Sequence, residues 1–319
     1  MRVLNINSND AGQRLDKFLS KAVPSLPSSL MYKLVRTKKI KVNRKRTEHM
    51  YVLNAGDTVE LFIKEEFFDS PDKRSALRLT PHIDIIYEDD NILLCDKRAG
   101  MIVHSDDKED TNTLISHISA YLYQKGEYDP DKENSFAPAL CNRIDRNTGG
   151  IVIAAKNAQT LRIMNEKIKN RELTKKYLAA VHGIFEKKED ILKGYLLKDG
   201  NTNTVTVFDK KPKDPDAKSI VTGYRVLCEK KGLSLLEVDL ITGRTHQIRA
   251  HMASVGHPLL GDGKYGVNKD DKKIGYKFQA LYSYSLEFDF KTDSGVLEYL
   301  NGRKFEIDND KIWFCREFR

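Results

Sequence analysis

The sequence predicts an α+β protein: a large domain on a mixed, largely antiparallel sheet, preceded by a small basic unit. Three observations predict it. Strand-like and helix-like patterns interleave from about residue 82 onward. The stretch from 64 to 81, "KEEFFDSPDKRSALRLTP", has mixed charge and no clean period, so it reads as a linker. Eight cations crowd into the fourteen residues from Lys33 to Arg46, inside the first unit. The expected division is a first unit over 1–64, a linker over 65–81 and a large domain over 82–319.

The first unit begins with "QRLDKFLSKAV" (13–23), where Leu15, Phe18, Leu19 and Ala22 fall at helical spacing before Pro24 and Pro27. A second helix is expected over 28–40, capped by Ser28 or Ser29, with Leu30, Tyr32, Leu34 and Val35 as its apolar side chains. "DTVELFI" (57–63) is strand-like and follows turn residues Ala55 and Gly56. Lys33, Arg36, Lys38, Lys39, Lys41 and Arg44, with Lys45 and Arg46, suit a phosphate-binding face, since phosphate contacts supply most sequence-independent affinity. The plainer reading is a solvated helix end favoured by the helix dipole.

In the large domain, "IDIIYEDDNILLCDK" gives two strands around a turn at Asp89, Asp90 and Asn91. "GIVIAAK" and "KKYLAAVHGIF" are strands. Between them "AQTLRIMNEKIKN" (158–170) is a helix, with Leu161, Met164 and Ile168 on one face. "SLLEVDLIT" is a strand, and "THQIRAHMASVG" (245–256) a helix ended by Gly256. "KFQALYSYSLEFDF" alternates as a strand does.

The bulk numbers narrow the function. Net charge is +8 and the isoelectric point about 9.0, which favours a polyanionic partner, nucleic acid above all. Cys95, Cys141, Cys228 and Cys315 form no CxxC pair, and the first three lie in or beside apolar runs as core residues do. The opening stretch has no apolar signal-peptide core, and no window approaches a membrane span, so cytoplasm is the expected compartment. No GxxxxGK[ST], GxSxG or HExxH is present, so P-loop nucleotide binding, serine hydrolysis and zinc proteolysis lack support. His246, His251 and His257 do not fall at the spacing of a helical zinc pair, and no metal is expected.

The chemistry-bearing stretches lie at the ends of strands. "CNRIDRNTGGIVIAAKN" places Asp145 between Arg143 and Arg146, with Gly149 and Gly150 before a buried run. A carboxylate among cations can be a nucleophile, a general base or a structural anchor. "KRAGMIVHS" adds Lys97 and His104. "LITGRTHQIRAHMASVGHPLLGDGKYG" packs Arg244, Thr245, His246, Gln247, Arg249 and His251 into eight residues at a strand-to-helix turn.

These stretches carry a resemblance. "NRIDRNTGGIVIAAK" resembles the catalytic motif of the RluA-type pseudouridine synthases, "YEDDNILLCDKRAGMIVH" their opening motif, and "KKYLAAVHG" their tyrosine motif. "TGRTHQIRAHMASVGHPLLGDGKYG" and "QALYSYSLEF" are similar to their later motifs. The five run in order from about 82 to 290. "QRLDKFL", the basic helix and "KVNRKR…GDTVELF", over about 12–64, resemble the αL-type RNA-binding domain of a small-subunit ribosomal protein and many RNA-modifying enzymes.

The resemblance implies that Asp145 is the essential aspartate, that Tyr177 stacks beneath the target uracil and takes the proton from ring carbon 5, and that Arg249 pairs with the aspartate. Arg143 falls on an arginine that can fill the space left by a flipped base. Arg244 and His246 fall around the reacting residues or on the RNA backbone, and Ile248 on the pocket wall. The reaction transfers no electrons and loses no group, so no cofactor is expected. The carboxylate can attack the base or the sugar, or deprotonate the sugar at its 2′ position; the residues leave all three open. The family's usual histidine, serine, proline and closing histidine are here Asn142, Gly149, Arg98 and Tyr282. The expected activity is uridine isomerisation in structured RNA, most simply large-subunit ribosomal RNA, by a monomer. The alternatives are a transfer RNA target, or a non-catalytic RNA-binding or ribosome-assembly factor.

Overall fold

The computed structural model describes residues 1–68, 75–103, 112–200 and 202–319. The first unit is a three-stranded antiparallel sheet in the order β1 (Arg2–Asn5), β3 (Thr58–Leu61), β2 (Ile40–Val42), covered by α1 (Leu15–Ala22) and α2 (Ser28–Arg36). Leu15, Phe18, Leu19, Val35, Ile40, Val59 and Leu61 close a core of its own. The helical spacing around Leu15 therefore reads out directly as packing. The second helix departs from expectation at both ends. Pro27, extended at φ −59° and ψ 137°, takes the cap position, so Ser28 is already helical and no side chain caps the start. The helix stops at Arg36 because Lys38 turns left-handed at φ 61°. Residues 65–68 and 75–78 form single 3₁₀ turns, and Phe67 and Phe68 lean on the first core. The middle of the expected linker, 69–74, lies outside the described residues.

The large unit is α+β, as expected. Its remaining strands are β4 (Asp84–Glu88), β5 (Ile92–Lys97), β6 (Ala139–Leu140), β7 (Gly149–Ala155), β8 (Leu173–His182), β9 (Glu189–Asp199), β10 (Thr204–Phe208), β11 (Lys218–Lys230), β12 (Leu233–Leu240), β13 (Leu281–Phe288) and β14 (Lys304–Glu306). Its helices are α3 (Leu114–Gln124), α4 (Ala158–Lys169), α5 (Gln247–Ser254) and α6 (Lys269–Lys273). Among the described residues these strands form one eleven-stranded sheet in the order β10-β9-β11-β12-β8-β13-β7-β5-β4, with β14 on β13 and β6 on β7. Every pairing is antiparallel except β13 with β7, which run parallel through Tyr282↔Gly149 and Ser283↔Gly150.

Strand alternation sorts side chains onto two faces. Ile92, Leu94, Ile151, Ile153, Leu178 and Leu235 join one core with Met164 of α4 and the C-terminal Leu297, Leu300 and Phe314. Leu93, Cys95, Val152, Ala154, Tyr177 and Leu236 join the other with Ile118 of α3 and Ile248 and Met252 of α5. All seven residues of β7 are buried, as a strand covered on both faces requires. Asn157 caps α4, accepting from the Thr160 backbone N–H at 2.8 Å.

Polar contacts join the first unit to the loop before β6 and to the start of α4 in the large unit. Asn7 and Asn9 donate to Glu133 at 3.1 and 2.8 Å. Ser135 and Asn134 donate to the fully buried Asp10 at 2.6 Å each. The Ala158 backbone N–H, at the start of α4, donates to Asn9 Oδ1 at 3.0 Å.

Candidate active site

The loop between β6 and β7 carries Asp145 and is pinned along its length. Asn142 Oδ1 accepts from the Ile153 backbone N–H at 2.8 Å, so this residue locks the loop to β7. Lys97, at the end of β5 and 1% exposed, donates to the carbonyls of Arg98, Met101 and Arg146 at 3.1, 2.9 and 2.9 Å. Burial pulls its amine down to about 8, opposed by nearby Asp145. Three carbonyls suit an ammonium with three donors. The Gly100 backbone N–H also donates to the Arg146 carbonyl, at 2.9 Å. His104, singled out with Lys97 in the sequence, lies outside the described residues.

The two glycines after the loop are needed for different reasons. A β-carbon on Gly150, at φ 116°, would lie 2.2 Å from the Ser283 carbonyl oxygen of β13. A β-carbon on Gly149 would lie 2.4 Å from the ring of Tyr282, whose hydroxyl donates to Asp96 at 2.6 Å. Two of the departures in the sequence motifs, Gly149 and Tyr282, therefore occupy one space.

Asp145 is flanked by arginines in sequence, but its partner in space is Arg249. Arg249 Nη1 donates to Asp145 Oδ2 at 2.9 Å. The same guanidinium grips Asp262 with Nε at 2.7 Å and Nη2 at 2.9 Å. Arg249 sits on α5 and is 7% exposed; Asp262 is 1% exposed. Burial alone opposes charge on both, yet their contact outweighs it: the guanidinium is held above and the carboxyl below its ordinary range. Asp262 and Tyr265, whose ring lies 5.2 Å from the guanidinium carbon, were not singled out in the sequence. Their signal is that "GDGKY" closes the stretch "TGRTHQIRAHMASVGHPLLGDGKYG" that carries the resemblance.

Tyr177 lies on β8, beside Val238 of β12 and Ser283 of β13, on the sheet face that also meets Ile144 and Ile248. Burial pushes its phenol up to about 12; Ser283 counters this and Asp145 adds to it. Ile248 is buried in the same hydrophobic cluster as Tyr177. His246 precedes α5 in a left-handed conformation, φ 54° and ψ 17°. Gln247 is buried beneath it, donating to the Val221 carbonyl at 3.0 Å and to Thr222 at 2.9 Å. Arg244 is exposed, its backbone N–H donating to Gln247 Oε1 at 3.1 Å. Arg143 is exposed and makes no ion pair among the described residues. Of the remaining histidines, His251 Nδ1 meets Thr222 and His257 Nδ1 meets the His182 carbonyl.

In the first unit, Lys33, Arg36, Lys38, Lys39 and Arg44 are exposed and Lys41 is half-buried over the Phe62 ring. Arg44 lies 3.8 Å from Glu60. They lie around the C-terminal end of α2 and the turns beside β2.

The family model for RNA pseudouridylate synthase matches residues 91–254, which contain Asp145, Tyr177 and Arg249. This chain belongs to the RNA pseudouridylate synthase family. Among curated relatives of this synthase, "Ribosomal large subunit pseudouridine synthase C" of Buchnera aphidicola subsp. Baizongia pistaciae is 33% identical over 89% of this chain and 88% of that protein. The protein of the same name in Vibrio parahaemolyticus is 31% identical over 93% and 91%. The solved structure of human RNA Pseudouridylate Synthase Domain Containing 4 shares the fold at TM-score 0.56 and 20% identity, covering 73% of this chain and 90% of that one.

Proposed function

We propose that this synthase isomerises uridine to pseudouridine in large-subunit ribosomal RNA, with Asp145 engaging the nucleoside. The observation that carries the reading is the buried chain Asp262–Arg249–Asp145, which ends on a carboxylate a quarter exposed beside Tyr177. A guanidinium gripped by a second carboxylate cannot swing away, so it aims Asp145 while leaving one oxygen open. A uridine inside a helix cannot reach that oxygen and must flip out, at a cost of a few kcal/mol. Stacking on an aromatic ring recovers about 1–3 kcal/mol of it. Tyr177 supplies the ring, and its upward-shifted phenol favours stacking over service as a free phenolate base near neutral pH. Residues 1–64 form the αL-type RNA-binding module in this reading, with Lys33, Arg36, Lys38, Lys39, Lys41 and Arg44 on phosphates and Arg143, Arg244 and His246 nearer the target. The large-subunit target is the one named for the curated relatives.

The test is a map of pseudouridines across all RNAs in cells lacking this chain, and in the same cells given it back or given Asp145→Asn. The expected result is loss at ribosomal positions, restored by the parent chain and not by the variant, which still binds RNA. Loss confined to transfer RNA would replace the target; restoration by Asp145→Asn would overturn the chemistry.

A further inference from the structure

Asp145 Oδ2 faces two nitrogens. Arg249 Nη1 reaches it at 2.9 Å, and His246 Nε2 lies 3.9 Å away. Among the described residues, Asp145 Oδ1 has no hydrogen-bond partner. The other nitrogen of His246, Nδ1, is 2.8 Å from the Tyr265 hydroxyl. That hydroxyl oxygen already accepts the Val205 backbone N–H at 2.9 Å. The oxygen could accept a second time, but donation to Nδ1 is the direction in which the single hydroxyl hydrogen also finds an acceptor among the described residues. A neutral imidazole whose Nδ1 accepts carries its hydrogen on Nε2. That N–H faces the aspartate.

Two features support a placed side chain. The ring is 10% exposed. The backbone of His246 is left-handed at φ 54°, with no side-chain cap bond in return, and strain of this kind gathers at functional sites. The charged groups around the ring are Asp145, Arg249, Lys264 and Asp262; burial is the largest influence and favours the neutral form.

We propose that His246 is a positioning residue: fixed by Tyr265 as the Nε2–H tautomer, it closes on Asp145 Oδ2 when a nucleoside binds, so that Oδ2 is anchored from two sides and Oδ1 meets the nucleoside. Such contacts lengthen in the free enzyme and tighten in the complex. The proposal rests on Asp145 being the reacting carboxylate.

Nitrogen NMR of the labelled full chain tests the tautomer without any turnover. His246 should show Nδ1 bare and Nε2 protonated, and Tyr265→Phe should mix the two forms. Asp145→Asn should lower the His246 pKa, because a carboxylate nearby favours the imidazolium. Kinetics test the role. His246→Ala should lower kcat about tenfold or more with KM little changed, and His246→Gln, which keeps a side-chain N–H, should recover most of it. Tyr265→Phe should lower kcat in the parent chain and have less effect in the His246→Gln background. A protonated Nδ1, a His246 pKa indifferent to Asp145→Asn, or full kcat in His246→Ala would overturn the proposal. If the parent chain modified no RNA, the activity reading would fall, and the NMR pair would still decide the tautomer and its partner.

Discussion

Arg249 holds two carboxylates on one guanidinium, so its loss strands both. Arg249→Met leaves Asp262 buried and unpaired, and breaking a buried pair in this way costs about 3–5 kcal/mol. We expect a urea midpoint lowered accordingly, with turnover lost even where the variant is folded. Asp262→Asn should be milder in stability, since an amide still accepts from the guanidinium. Lys97 makes a pH prediction. The folded chain releases its proton at about pH 8, below the ordinary lysine value of 10.5. Below pH 8 both states are charged and the contribution is flat. Above it the unfolded state holds more protons, so stability rises with pH. Denaturation between about pH 8 and 9, below the range where most free tyrosines ionise, should show a shallower rise in Lys97→Met than in the parent. Asp145 was legible because its neighbours form a motif. Asp262, Tyr265 and the clasp of Lys97 were not, because their work is set by which atoms meet across strands, and no local spacing encodes that.

Elements with strong periodicity were readable, and those whose surroundings decide them were not. The helix at Ala158–Lys169 and the strand at Gly149–Ala155 follow their patterns within a residue or two. Helix α3 buries Leu114, His117, Ile118 and Leu122 on one stripe, but Ala120 is buried outside it and Tyr123 is apolar on the exposed side, so the contrast between its faces is weak. Strands β9 and β11 were missed because few of their residues are fully buried and both begin and end on charged residues. The start of β7 is the most constrained backbone near the site. Gly150→Ala places a β-carbon against the Ser283 carbonyl from a left-handed backbone. We expect a loss of about 3 kcal/mol or more and a displaced Asp145 loop, seen as a lower melting temperature and a fall in kcat.

On the scale of the whole molecule, the basic unit and the large unit are joined by polar contacts around Asp10 and Glu133. Asp10→Ala leaves Asn134 and Ser135 without their acceptor. Small-angle scattering should show a more extended particle, and RNA affinity should fall about tenfold as the two grips lose their fixed spacing, with the salt slope unchanged because no cation is lost. Deleting residues 1–64 should instead lower both affinity and salt slope. Distant positions are also tied through space. The ring of Tyr282 fills the volume that any side chain at 149 would need. Descendants of this sequence therefore cannot enlarge position 149 until 282 has first shrunk, and the permitted mutational path between the two pairings runs in one order only.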